Sequence, residues 1–241
     1  MKPQFWQMPS ASERDIQALA PKIQELDSRL QHIAHTQPNS IFASSLAAED
    51  AIITDRIAQH QLPIRIITLN TGLLHAETAQ LIAQTQNHYP QIQLQVFEPQ
   101  TETAVQFTQK NGAAAMYQSI DLRKQCCHIR KIEPLNRALQ HASAWLTGQR
   151  RSQSVTRSEL AFAEHDTARQ IAKFNPIFDW EDADVWAYVQ SHDLPMNALY
   201  QQGYPSIGCE PCTRPVKLGE DIRAGRWWWE QQDSKECGLH K

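Results

Sequence analysis

At 241 residues, with 41% hydrophobic and 20% charged content, the chain has room for a real core and an ordinary globular composition. Its longest apolar runs, such as Ile64 to Leu69, fall far short of a membrane span, and the N-terminus lacks the apolar stretch of a secretory signal. A net charge of −3 argues against nucleic acid as a partner, and an odd count of five cysteines argues against disulfide staples. A reducing cytoplasm, with thiols kept for ligation or catalysis, is the expectation.

In chain order, Ser12 to Gln37 sets Ile16, Leu19, Ile23, Leu26, Leu30 and Ile33 roughly on one helical face, and Pro21 is expected to split the segment. A short apolar strand, Ile41 to Ala43, runs into Ser44-Ser45, followed by a helix from about Ala48 to His60. Pro63 to Leu69 is rich in β-branched residues and predicts a strand ending at Asn70-Thr71-Gly72. A helix over about Ala76 to Gln86, a half-exposed strand over Ile92 to Phe97 and a helix over Thr101 to Lys110 continue the alternation. Further on, the pattern predicts a helix from Cys127 to Leu139, strands at Ala144 to Thr147 and about Gln170 to Phe174, and a helix from Trp180 to Val189 capped by Asp179. Strand alternating with helix at this spacing makes the fold α/β, a parallel sheet flanked by helices. Its loops at Ser44-Ser45 and Asn70-Thr71-Gly72 then share the carboxyl edge, where ligands bind. One domain with a C-terminal extension from about 218 to 241 is the simplest division.

Two features carry chemistry. Cys126-Cys127 and Cys209-Glu210-Pro211-Cys212 supply four soft ligands. Iron–sulfur clusters take four thiolates, commonly with a Cys-x-x-Cys pair; structural zinc also accepts four cysteines, normally from two such pairs. Adjacent residues on a helix diverge by about 100°, so both tandem cysteines reach one centre only at a helix end or with local strain. Between Asp121 and Arg157 lie eight basic residues, among them Lys131, Arg150, Arg151 and Arg157, against Asp121 and Glu133 alone. Thr147-Gly148-Gln149-Arg150-Arg151 joins that run to a glycine turn, and arginine forks suit phosphate or sulfate oxygens, so a compact polyanion is the expected ligand. Small residues at Ser44-Ser45 let backbone N–H groups approach a phosphate at the following helix N-terminus.

As a set these residues, with Glu49-Asp50, Arg130-Lys131, Gly225-Arg226-Trp227-Trp228-Trp229 and Glu236-Cys237-Gly238-Leu239-His240, resemble the assimilatory sulfonucleotide reductases of the iron–sulfur type. The resemblance runs from Ser44 through His240 and implies a five-stranded sheet like that of the adenine-nucleotide α-hydrolases. It implies a 4Fe–4S cluster on Cys126, Cys127, Cys209 and Cys212, and reduction of adenosine 5′-phosphosulfate to sulfite and AMP. Asn70 stands where many relatives carry Asp, keeping the hydrogen-bonding shape without the charge. The implied nucleophile is Cys237, the cysteine outside the quartet, which takes the sulfonate; thioredoxin or a glutaredoxin-like donor then releases sulfite. Lys131 corresponds to a lysine between cluster and sulfate, Arg157, Arg223 and Arg226 to positions that grip the phosphosulfate, and His240 to one in the closing tail. Trp227 to Trp229, His75 and His128 are expected to serve packing or surface roles. Alternatives are a 3′-phosphoadenylyl-sulfate reductase, a dual-substrate enzyme, and a nucleotide-binding cluster module without turnover; a homo-oligomer is compatible with any of them.

Overall fold

A computed structural model describes residues 4–153, 158–231 and 238–239. Helices α1 (Glu13–Gln17) and α2 (Leu19–Thr36) break at Ala18, so Pro21 falls in the first turn of α2, where a missing N–H costs nothing. The strands are β1 (Ile41–Ser44), β2 (Arg65–Leu69), β3 (Leu94–Phe97), β4 (Ala144–Leu146), β5 (Ala163–Asp166) and β6 (Ile171–Phe174). The remaining helices are α3 (Ala48–Gln59), α4 (Ala76–His88), α5 (Thr101–Asn111), α6 (Ile120–Cys127), α7 (Glu133–Ala138) and α8 (Asp182–Ser191).

The sheet order is β3-β2-β1-β4-β6-β5, with every neighbouring pair parallel except β5 against β6. Strand alternation splits the core between the two faces. Phe42, Ile66 and Leu146 pack with Leu26, Leu30, Ile52, Trp180 and Tyr188 on one side. Ile41, Ile67 and Trp145 pack with Leu135 and Leu139 of the α7 region on the other. The chain winds outward from β1 through β2 to β3, then returns to the opposite flank of β1 as β4. That reversal opens a crevice beyond the carboxyl ends of β1 and β4, the place where open α/β sheets take ligands.

Three sequence expectations need correcting. The sheet has a sixth strand, β5, whose burial pattern of one buried residue in four suits an antiparallel edge; Gln170 lies in the preceding turn at φ +56° rather than in the strand. The helix expected to begin at Cys127 begins at Ile120, where Ser119 accepts the Leu122 N–H as N-cap; α6 ends at Cys127, and a π-helical turn over His128–Ile132 leads into α7. Asp179 does not cap α8. Glu181 does, in a reciprocal capping box with Asp184, while both Asp179 oxygens accept from Arg29 at 2.7 Å.

Candidate active site

A cavity of about 280 Å³ fills the crevice between β1 and β4. Ser45, Ala48, Glu49 and Asp50 line it from the β1–α3 side, and Thr147 to Arg150 from the loop after β4. Asp50 braces the first loop, its Oδ2 accepting the Ser45 N–H at 2.5 Å and the Ser45 hydroxyl at 2.6 Å, and its carboxyl also accepts the Gly148 N–H from the second. Gly148 is required here: a Cβ at that position would stand 2.1 Å from Asp50 Oδ1. Burial pushes the Asp50 carboxyl up to about 7, outweighing the hydrogen bonds from Ser45 and the Gly148 N–H that favour its charged form. Ser44 faces inward at 4% exposure and accepts the Leu46 N–H, supporting the turn rather than lining the cavity.

The two arginines after Gly148 divide in role. Arg150 is buried, and all five of its guanidinium N–H groups are engaged. Nε and Nη2 donate to Glu49, Nη2 also to Asp182, and Nη1 to the Ser152 hydroxyl and the Trp180 carbonyl. Arg151 is exposed, donates to the Leu160 carbonyl and lies 4.6 Å over the Phe178 ring, away from the cavity. The positive wall of the cavity therefore comes from other elements, as Lys131, Arg223 and Arg226. Arg157, Cys237 and His240 lie outside the described residues.

Beside this crevice the four cysteines line a second, smaller cavity together with Leu73, Met116, Arg123, Arg130, Lys131, Arg226 and Trp227. Cys126 and Cys127 arrive on the last turn of α6, a helix end followed at once by the π turn. Cys209 and Cys212 arrive on a tight turn closed by the Cys212 N–H donating to the Cys209 carbonyl. Glu210 N–H donates to the Leu73 carbonyl, and Leu74 bridges Cys209, which moors this turn to the end of β2. Gly208 lies against the Arg226 guanidinium, which a Cβ there would meet at 2.5 Å and displace. All four thiols are buried, and Cys212 is pushed up to about 12, first by burial and then by Cys209 and Cys127. Among the described residues, no three His, Cys, Asp or Glu side chains are gathered as they would be around a single metal ion.

The loop at Asn70-Thr71-Gly72 lines neither cavity but packs against the cysteines from outside. Thr71 Oγ1 lies 3.3 Å from Cys209 Sγ, and the Thr71 carbonyl accepts from Arg130 Nη1 at 2.8 Å. Asn70 accepts the Gly72 N–H and donates to Glu98, so its amide braces the turn, with Gly72 at φ +69°. Lys131, Arg226 and Trp227 line both cavities and form the wall between them. Trp227 is thus more than packing, while Trp228 is 40% exposed at the surface. Glu49 and Asp182 balance Arg150, a pairing the sequence did not signal, and sequence reading passed over Tyr200, whose hydroxyl accepts the Ala48 N–H at the start of α3. An arginine inside a basic run gives no sign of which distant acid it will meet.

Sheet order, crevice and wound-out first half define the chain as an α/β protein of the adenine nucleotide α-hydrolase fold. A phosphoadenylyl-sulfate reductase from Candida auris, in a phosphate complex, superposes with a TM-score of 0.67 at 28% identity, covering 84% of this chain and 97% of that one. A nicotinamide mononucleotide synthetase from Francisella tularensis shares the fold alone, with a TM-score of 0.50 at 10% identity, over 78% and 73% of the two chains. In sequence, the chain is 56% identical to an adenosine 5′-phosphosulfate reductase of Neisseria meningitidis serogroup A, over 100% of this chain and 98% of that protein. It is 44% identical to one of Allochromatium vinosum, over 97% and 87%. The phosphoadenosine phosphosulfate reductase domain model matches residues 39–215, and the chain belongs to that family.

Proposed function

We propose that this chain is an oxidoreductase of sulfate assimilation that reduces adenosine 5′-phosphosulfate to sulfite and AMP. The observation that carries the reading is the shared wall: Lys131 and Arg226 line both the nucleotide-sized crevice and the four-cysteine cavity. Full-length identity to relatives named for this activity supports the same substrate.

In this reading the AMP moiety occupies the crevice over Ser45 and Gly148, and its sulfate points toward Lys131, Arg223 and Arg226. Those cations oppose the charge that builds on the phosphate oxygen as the bond to sulfur breaks. The Cys237 thiolate attacks the sulfate sulfur, forming an S–S bond, and AMP leaves with the electron pair of the S–O bond. A donor thiolate, from thioredoxin or a glutaredoxin-like protein, then attacks the Cys237 sulfur. Sulfite leaves with the S–S pair, and the donor's second thiol resolves the mixed disulfide. Two electrons enter from the dithiol. His240 and Arg157 belong to the same chemistry as further groups on the phosphosulfate.

The quartet Cys126, Cys127, Cys209 and Cys212 would hold a 4Fe–4S cluster, supplying a fixed charge distribution beside the sulfate. The donor set fits: four soft thiols, with Arg123, Arg130, Lys131 and Arg226 around them to offset a thiolate-bound group. A single domain and a reducing cytoplasm complete the proposal. Among the described residues, no helix is long and apolar enough to cross a membrane.

Mapping the sulfonate tests the reading. Wild-type protein incubated with labelled nucleotide and no reductant should carry the label on the Cys237 peptide, and Cys237→Ser should bind AMP normally yet release no sulfite. Sulfite release at the wild-type rate from Cys237→Ser would eliminate the mechanism. The likeness to the Candida auris enzyme raises the 3′-phosphorylated nucleotide as a second substrate. A kcat/KM higher for that nucleotide would reverse the substrate assignment.

A further inference from the structure

Arg123 sits one helical turn before Cys127 on α6, lines the cysteine cavity and is 0% exposed. Its guanidinium meets Glu230 in a two-pronged pair, Nε to Oε1 at 2.8 Å and Nη2 to Oε2 at 2.7 Å, and the Glu230 side chain is 3% exposed. The same guanidinium stacks 4.9 Å from the Trp227 ring and interacts with Cys127. The segment from Trp227 to Glu230 is tied in by its backbone as well: Trp227 N–H donates to the Cys212 carbonyl, and Glu230 N–H to the Trp227 carbonyl. Six residues, Gln231 to Glu236, then separate this anchor from Cys237.

A buried ion pair is a poor route to stability, because desolvating both charges offsets most of their attraction; apolar residues of similar volume hold a fold together equally well. Registry is the better-attested use of such a pair. Glu230 is not part of the crevice lining, so it has no ligand role there. We propose that Arg123–Glu230 is a positioning clasp, which registers the root of the C-terminal tail to the helix bearing Cys126 and Cys127 and so sets where Cys237 meets the sulfate. This rests on the reading of Cys237 as the nucleophile.

The experiment uses the iron-loaded full-length protein and two variants, Glu230→Gln and the apolar pair Arg123→Met with Glu230→Leu. Four quantities are measured: iron content, melting temperature, AMP affinity, and the single-turnover rate of Cys237 sulfonation without reductant. The expected result is AMP affinity close to wild type in both, with sulfonation slowed by about tenfold or more, on the scale of coupling between linked sites. The apolar pair should keep its full iron content, melt near the wild-type temperature and still sulfonate slowly, separating registry from stability and from the charge Arg123 lends the cysteines; slow sulfonation seen only where iron is lost would overturn the clasp. If Glu230→Gln fails to fold, the apolar pair decides alone. Sulfonation at the wild-type rate in the apolar pair overturns the clasp, as does a loss of AMP affinity that accounts for the slower rate. Label missing from Cys237 in the wild type would instead sink the nucleophile assignment.

Discussion

Arg150→Met puts the division between structural and ligand-facing cations at risk. The arm to Asp182 is worth little, about 0.5 to 1 kcal/mol, because the Asp182 side chain is 54% exposed and screened. The arm to Glu49 joins side chains that are 4% and 13% exposed, and removing one partner of such a pair costs about 3 to 5 kcal/mol, since the other charge stays buried. The Trp180 carbonyl loses a donor in the same change. At roughly 2 to 4 °C per kcal/mol for a chain of this size, the melting temperature should fall by about 6 to 20 °C. AMP affinity, measured by calorimetric titration well below the melt, should stay within about threefold of wild type, because Arg150 has no N–H group left to give a ligand. A melt within about 2 °C of wild type together with a tenfold or greater loss of AMP affinity would refute the reasoning and return Arg150 to the ligand.

Gly148→Ala should destabilise by about 1 to 3 kcal/mol, because the new methyl collides with Asp50, and adding Asp50→Ala should recover most of that loss; additive melting shifts in the double variant would contradict the collision. Asp50, raised from 3.8 to about 7, keeps a proton in the folded protein that the unfolded chain has released, so its contribution to stability falls as pH rises between about 4 and 7. The stability of Asp50→Asn relative to wild type should accordingly improve by a few kcal/mol at most (~1.4 per pKa unit) across that window in denaturant titrations, and a flat difference would disprove the shift. Lys131→Ala should lower kcat by about 100-fold or more with KM nearly unchanged in steady-state assays, and an effect confined to KM would mean uniform ground-state binding.

Much of the fold is legible in the chain because apolar spacing is a local signal. The strands at Ile41, Arg65 and Leu94 and the helices between them fall within a few residues of expectation. What failed locally was polarity: Ala163–Asp166 is too polar to read as a strand and pairs only because β6 lies beside it, and α6 carries too few apolar residues to announce itself. In the site, the four cysteines line one cavity, and the tandem pair sits at a helix end. The basic run divides: Lys131 lines both cavities, whereas Arg150 and Arg151 are engaged by other groups of the protein. Arg150 answers to Glu49 and Asp182, residues 101 and 32 positions away, and no local pattern reports such distances. Asn70-Thr71-Gly72 ends a strand at the expected edge yet serves the cysteines, because Leu73 and Leu74 are moored to the Cys209 turn.

The wide turn after Cys127 constrains how this region can be altered. A helix that carries an extra residue in one turn rotates everything beyond it by about 100° relative to a regular continuation. Lys131 lies inside that widened stretch, so its bearing on the partition depends on the surplus residue as much as on its own identity. Deleting one residue there would tighten the spiral and swing the ammonium off its wall without touching a single ligand.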